Sequence, residues 1–422
     1  MTTNWAGNII YHATEIHCPS SLAQAQELVA RSNRVRALGT MHSFSDLADS
    51  PGVLISVSHL PSVVEIDSVS STATVAAGMR YAELARHLDG AGFALPNLAS
   101  LPHTSVAGSC ATATHGSGWC NGNLATHVSQ VDLVTANGDL VTVRRDDRDG
   151  GDRFNGTVVG LGALGVIVSV TLDLIPAFEV RQHVYEDLPL EVLEGHFTEL
   201  VSCAHSVCLF TDWGAPRLTQ VWIKQRTDQP EPKILDSSWF TARPADGPRN
   251  PVPGMNPVAC TAQMGVAGRW FERLPHFRPD CTPSAGEELQ SDYMIPQEHA
   301  VHALHALDRI REKIHPVLQI CEVRTIAADQ LWMSPCYRQH SVSIHFTWTV
   351  DTGAVLPVVA LVEQQLAPFG ARPHWGKIFT SSPKMLASRY ERLPDFRDLV
   401  RELDPAGKFG NAFTQRHLAL HV

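Results

Sequence analysis

The sequence predicts an α+β protein of two domains. Its first third alternates helical and strand patterns, and after Pro176 that alternation gives way to β-like runs separated by Pro-rich surface. The turn-rich stretch Asp404-Pro405-Ala406-Gly407-Lys408-Phe409 then returns to the character of the opening part. A first domain is therefore expected over residues 1–178, completed by 376–422, with a second over 179–375. The 422 residues fit two or three domains of about 150 residues each, and a 44% hydrophobic content is ample for buried cores.

Ser20 or Ser21 is a plausible N-cap for an amphipathic helix over 22–30, because a short side-chain oxygen there can accept a free amide of the first turn. A short apolar strand over 35–38 runs straight into Gly39-Thr40-Met41-His42-Ser43-Phe44, and such a strand exit suits a ligand. Strands are expected over 53–57, 63–66 and 72–76, and a helix over 81–88 stopping near Gly90 and Gly92. Runs over 131–135 and 140–143 flank Asn137-Gly138, a hairpin signal whose two turn positions both call for positive φ. Residues 96–123 are low in charge and dense in Ser, Thr, Gly, His and Ala, which marks a long functional loop. A strand over 166–174 closes the unit. The second domain should contain Pro-rich surface over 244–257, a helix over 297–314, and strands over 220–224, 320–326 and 341–350.

Net charge narrows the function classes. With 33 basic and 43 acidic residues the formal charge is −10 and the pI about 6.1, so the basic surface needed for nucleic acid or anionic lipid is missing. The opening residues lack a basic segment followed by an apolar one, and no signal peptide is expected. The most apolar later stretch, 354–366, is interrupted by Pro357 and Glu363 and falls short of the about 20 residues of a membrane span. Nine cysteines scattered from Cys18 to Cys336, none in a C-x-x-C pair, suggest mostly buried, reduced thiols in a cytoplasmic protein.

Three constellations could carry chemistry. Gly160-Leu161-Gly162-Ala163-Leu164-Gly165 matches a dinucleotide-binding pattern, but the β-branched run after it reads as a strand where that motif needs a helix. A Gly-rich turn that brings backbone near a ligand is the better account, which leaves a nicotinamide dehydrogenase poorly supported. His299, His302 and His305 invite a metal-binding, non-enzymatic reading, yet the face that His302 and His305 share with Arg309 and Glu312 is the polar side of an amphipathic helix, and no metal is expected. The third constellation draws on several segments. His42 sits in a loop with Gly39, Ser43 and Ser45; the 96–123 loop adds Ser100, Ser105, Gly108, Ser109, Thr112, Thr114, His115 and Gly116. In the second domain Glu322 and Arg324 alternate with Cys321, Val323 and Ile326, as His345 and Thr347 do with Ile344, Phe346 and Trp348. One strand face carrying Glu, Arg, His and Thr is what recognition of several hydroxyl groups requires, although a half-exposed sheet would show the same pattern. Lys377 is a further site residue or a solvated lysine.

At these residues the chain resembles the vanillyl-alcohol-oxidase-type flavoproteins with covalently attached FAD, and within them the bacterial alditol oxidases. The resembling stretches are Thr3-Asn4-Trp5-Ala6-Gly7-Asn8, Leu38 to Phe44, Leu95-Pro96-Asn97-Leu98-Ala99-Ser100-Leu101-Pro102-His103, Ser105-Val106-Ala107-Gly108-Ser109, Thr114-His115-Gly116-Ser117-Gly118, Leu209-Phe210-Thr211-Asp212-Trp213, Cys321-Glu322-Val323-Arg324-Thr325, His345-Phe346-Thr347-Trp348 and Arg372-Pro373-His374-Trp375-Gly376-Lys377. The resemblance implies a PCMH-type FAD-binding domain and an antiparallel-sheet substrate, or cap, domain.

It also implies FAD joined through His42 and held by Gly39, Thr40, Met41, Ser43, Ser100, Ser105, Gly108, Thr112, His115, the backbone of Gly165, Val166 and Ile167, and His374. Substrate-binding residues would be Ser100, Glu322, Arg324, Thr347 and Lys377, and the catalytic ones His345, Arg324 and Lys377. Met41 and Ala113 stand where relatives commonly have Gly, and Leu101 replaces the cysteine of doubly linked members, so one tether is expected. The implied reaction is oxidation of the terminal primary alcohol of a polyol such as xylitol or sorbitol to the aldose, with dioxygen reduced to hydrogen peroxide. A sugar-lactone or other carbohydrate oxidase on the same scaffold is the alternative, and a monomer is compatible with either.

Overall fold

The computed structural model describes residues 2–147, 151–281 and 287–420. The described part of the first domain has three sheets, the smallest being the antiparallel pair Phe93–Ala94 and Ile175–Pro176. Glu15–His17, Val53–Ser56 and Val35–Leu38 form a parallel three-stranded sheet with Val53–Ser56 in the middle. Val64–Asp67, Thr72–Ala76, Val166–Asp173, Val128–Val134 and Leu140–Arg144 form an antiparallel five-stranded one in that order. Val29, Val35, Ile55, Val134 and Val166, all fully buried, pack in a shared core. The helix Leu22–Arg31 starts where Ser21 accepts the Gln24 amide, and Leu28 and Val29 seat its apolar face.

From Glu179 the chain builds a nine-stranded sheet, to which the pairs Tyr293↔Pro373 and Met294↔Arg372 add the last strand. The central order is Glu179–Pro189, Arg217–Arg226, Ser206–Thr211, Leu318–Ile326, Ser341–Trp348, Leu289–Pro296, with every pairing antiparallel. One face is covered by the helices Leu193–Val201, Ala300–Asp308 and Thr352–Leu366, whose Leu200, Leu304, Leu307, Val359 and Leu366 are fully buried. The other face looks toward the first domain.

The tail after the sheet packs on the first domain. Arg36, 2% exposed, donates to the carbonyls of Leu47, Leu161, Gly162 and Phe409, so one guanidinium joins a strand, two loops and the tail. Asp404 accepts the amides of Lys408 and Phe409, and Asn411 donates to the carbonyls of Asp46, Leu47 and Asp49.

Four local expectations need correction. The hairpin loop is longer than two residues, since Val134 pairs with Leu140 and only Gly138 of the Asn-Gly pair has positive φ, at 87°. The long loop over 96–123 contains a six-residue helix, Val106–Ala111, too short to leave a periodic signal. The helix expected over 297–314 opens with a 3-10 turn, Gln297–His299, runs as Ala300–Asp308, and breaks before Arg311–Ile314, because Ile310 leaves helical geometry (φ −113°, ψ 13°) with no Gly or Pro to announce it. The apolar stretch near 354–366 extends to Thr352–Phe369, which by length and composition could span a membrane. Its Val355, Val359, Val362 and Leu366 instead pack in the second domain's core.

Candidate active site

The register of the nine-stranded sheet assembles the polar face. Glu322 pairs with His345, and His345 with Asp292, so three strands place these side chains in one row. One step along, Ile320, Thr347 and Gln290 form the next row, and Arg324, opposite Ser343, lies on the other side. Alternation puts all of them on one face. Both faces of these strands are covered: Glu322, Arg324, His345 and Thr347 are each less than 10% exposed. The half-exposed sheet is thereby set aside.

The first domain supplies the opposing wall. The exit of Val35–Leu38 delivers Gly39 to Phe44, and Met41 adopts a left-handed φ of 61° that turns its carbonyl to the Trp5 amide at 2.8 Å. The Trp5 ring then stacks on His42, with centroids 5.4 Å apart. Nδ1 of His42 donates to the Thr40 carbonyl at 2.8 Å, which leaves the other ring nitrogen with its lone pair. Burial pushes the His42 pKa down to about 4, so the ring is neutral at cellular pH. A Cβ on Gly39 or on Gly108 would meet Ser105 Oγ at 2.8 or 2.7 Å, so both positions present bare backbone to the cavity. The Phe44 amide bonds the Gly376 carbonyl at 2.7 Å, tying this loop to the one that carries His374 and Lys377.

Charged groups converge between the walls. Arg324 Nη1 donates to Ser100 Oγ at 3.3 Å, and its guanidinium lies 3.4 Å from Glu322 and 3.8 Å from Asp292. Asp292 accepts from Ser343 Oγ at 2.7 Å and from His115 Nε2 at 3.0 Å, and lies 3.5 Å from His345 Nδ1. Burial alone would raise the Glu322 and Asp292 carboxyls; Arg324 and His276 around the first, and His115 and His345 around the second, outweigh it and hold both well below the usual range. Burial lowers His345, against the pull of Asp292, so its ring is free to accept a proton at neutral pH. Lys377 Nζ donates to Gln290 Oε1, and burial brings this lysine down to about 8.

Residues 14–144 match the family model described as FAD binding domain, and 281–417 the one described as D-arabinono-1,4-lactone oxidase. The chain is 52% identical to alditol oxidase from Streptomyces sp., over 97% of both chains. It is 27% identical to L-gulono-1,4-lactone dehydrogenase from Mycobacterium tuberculosis, covering 99% of this chain and 98% of that one. Cholesterol oxidase from B. sterolicum shares the fold with a TM-score of 0.79, at 15% identity and over 99% and 96% of the two chains. The chain belongs to the vanillyl-alcohol-oxidase-type family of FAD-dependent oxidases. It is an FAD-dependent oxidoreductase with oxygen as acceptor, built as an FAD-binding domain beside a sheet-based second domain. The residues present fit FAD, because the bare backbone at Gly39 and Gly108 and the hydroxyls of Ser105 and Thr112 line one cavity that continues to Glu322 and His345.

Every residue that the resemblance assigns to the site lines that cavity except Val166, whose side chain turns into the core between the three- and five-stranded sheets; of the wider constellation, Ser45, which donates to the Trp375 carbonyl, and Gly116 do not line it. Between Gly165 (φ 156°) and Ile167, Val166 can offer only backbone. Gly160 to Gly165 is a turn before the strand Val166–Asp173, with Gly162 at φ 67°. His299, His302 and His305 do not converge on this cavity, and His305 Nε2 faces Glu194 at 3.2 Å. Sequence reasoning missed Asp292, Gln290, Glu288, His276 and Lys224. Gln290 and Asp292 alternate along the strand Leu289–Pro296 just as Glu322 and Arg324 do, with Glu288 one residue before its start, which was the available signal. His276 sits in a loop, and Lys224 looks like any strand lysine until the register places it inside.

Proposed function

We propose that this enzyme oxidises the terminal primary alcohol of a small polyol, such as xylitol or sorbitol, to the aldose, with dioxygen reduced to hydrogen peroxide. The observation that carries this reading is the row Glu322–His345–Asp292, with Arg324, Ser100, Thr347 and Lys377 around it, facing the Gly39–His42 loop across one cavity. Such a wall has a partner for each of several neighbouring hydroxyls, and a site built to pair each of them rejects deoxy analogues strongly. The 52% identity to a Streptomyces alditol oxidase supports the same substrate class.

FAD, when bound, would supply the two-electron redox chemistry that side chains lack, with dioxygen as the proposed final acceptor. His42, neutral and with one lone pair free, is the proposed covalent anchor for that group. Glu322, Ser100 and Thr347 bind successive hydroxyls. His345 takes the proton of the reacting hydroxyl, and Asp292 beside its Nδ1 stabilises the ring once it is charged. Arg324 and Lys377 place positive charge where the substrate oxygen becomes negative, an electrostatic contribution of about 3 kcal/mol. The nine free thiols support a reducing, cytoplasmic setting, and the partners proposed are the polyol and dioxygen, with no nucleic acid or membrane.

The test is threefold. Protein precipitated with acid should stay yellow, and a proteolytic fragment spanning His42 should carry the added flavin mass. Anaerobic xylitol should bleach the visible flavin band faster than an aldonolactone; the reverse order would favour the lactone reading suggested by the 281–417 match. His345→Ala should slow that bleaching and change its pH profile, and an unchanged profile removes His345 from the base role.

A further inference from the structure

Beside the substrate wall, on the sheet face that carries Arg324, the buried Lys224 Nζ touches three acceptors. These are the carbonyl of Leu274, that of Pro275 at 3.2 Å and Nδ1 of His276 at 3.1 Å. An ammonium has three N–H groups and no lone pair, so the set is complete and His276 Nδ1 must accept. The proton of the neutral imidazole is then on Nε2, which donates to Glu322 Oε1 at 2.6 Å. The remaining oxygen of Glu322 faces Arg324 Nε at 3.4 Å. The same loop reaches the opposite side of the site through its backbone, because the His276 amide donates to the Ser100 carbonyl at 3.2 Å. Lys224 is fully buried and His276 is 4% exposed.

We infer that Lys224 and His276 are positioning residues for substrate binding: the lysine fixes the histidine tautomer, and the histidine fixes the carboxylate of Glu322 for a substrate hydroxyl. A metal at this spot is the competing use, since ligand atoms of Cys208, His276 and Glu322 lie within 4.8 Å of one another. Both ring nitrogens of His276 are already engaged, however, and the Lys224 ammonium beside them repels a cation. Burial lowers Lys224 to about 8, with Cys208, Cys260 and Glu322 opposing the shift and Arg324 adding to it, which leaves it mostly charged at neutral pH.

This inference rests on the polyol reading of Glu322, and the experiment separates the two. Steady-state kinetics with xylitol are measured on the flavin-loaded enzyme and on its His276→Phe, His276→Gln, Lys224→Met and Glu322→Gln variants, with flavin absorbance per chain as the folding control. His276→Phe should raise KM about tenfold or more while kcat stays within about threefold, because only ground-state and transition-state binding in common is lost. Gln, which can accept from Lys224 and donate to Glu322, should restore much of the KM. His276→Phe in a Glu322→Gln background should add nothing. An unchanged KM in His276→Phe, or effects that simply multiply in the double variant, overturns the positioning role. If His276→Phe loses its flavin, Lys224→Met decides: a raised KM supports the role and an unchanged one overturns it. A Glu322→Gln enzyme with unaltered KM would instead overturn the polyol reading, and the positioning role with it.

Discussion

His115 Nε2 lies 3.0 Å from Asp292 Oδ2, and only 2% of either side chain is exposed. Nδ1 of the same ring faces the Gly116 carbonyl at 2.9 Å, so both ring nitrogens meet oxygens that only accept. Asp292 thus gathers His115, Ser343, His345 and the Arg324 guanidinium around one carboxylate. Asp292→Asn should cost about 3 kcal/mol, the order expected when one member of a buried charged pair is removed. The Asp292 carboxyl is held below its unfolded value, so its contribution is present above about pH 4 and lost as pH falls through the folded value. Melting curves should therefore show a full gap between wild type and variant from pH 5 to 8 that narrows under acid. A gap that instead widens toward low pH would refute the assignment.

Met41 tests the link between backbone and anchor. Its left-handed φ costs a non-glycine residue about 1 kcal/mol, and that turn puts its carbonyl on the Trp5 amide and Trp5 against His42. Glycine adopts the same φ freely, whereas a β-branched side chain does so at severe strain. Met41→Gly should therefore keep the flavin that remains after acid precipitation near the wild-type level, and Met41→Val should lower it. Equal retention in both would show that the turn does not control His42.

The division between what was legible and what was not follows from physics. Period-two alternation exposed Glu322, Arg324, His345 and Thr347, because a strand sorts its side chains by face whatever its neighbours. It could not say that both faces are covered, since burial depends on the helices over one side and the first domain over the other. His42 and Ser100 were legible as residues of Gly- and Ser-rich loops. His276 has no periodic context, and its role comes from the sheet register that brings Lys224 and Glu322 to either side of it. Ile310 interrupts a helix without Gly or Pro, so nothing local marked the break.

Lys377 gives a pH dependence of activity. Its ammonium is retained below about 8, where burial has brought it against the pull of Asp292, Glu288 and Glu322, and is lost above. If that charge stabilises the reacting oxygen, kcat should fall as pH rises through about 8. In Lys377→Met, kcat should be about a hundredfold lower, the scale of one electrostatic group, and flat across that window. Lys224 is lowered to a similar value but acts on substrate binding, so the comparison is made on kcat and not on KM. A Lys377→Met profile that keeps the wild-type fall would assign it to another group.

Arg36 ties the carboxy-terminal tail to the cavity. Its guanidinium donates to four carbonyls, of which Phe409 belongs to the tail and Leu161 and Gly162 to the turn before Gly165. Arg36→Met keeps most of the apolar stem but leaves those carbonyls without a donor, at a cost of about 3 kcal/mol or more. Arg36→Lys, with three donors in place of five, should recover part of it. The sensitive readout is local, because Asp404 and Asn411 hold the same segment through separate bonds. Limited proteolysis of Arg36→Met should cut between Asp404 and Asn411 well before the rest of the chain, and the flavin should be released or lose its native spectrum at a lower temperature than in wild type. If the tail stays protected while the melting temperature falls, Arg36 supports the first domain alone and the tail is held by Asp404 and Asn411.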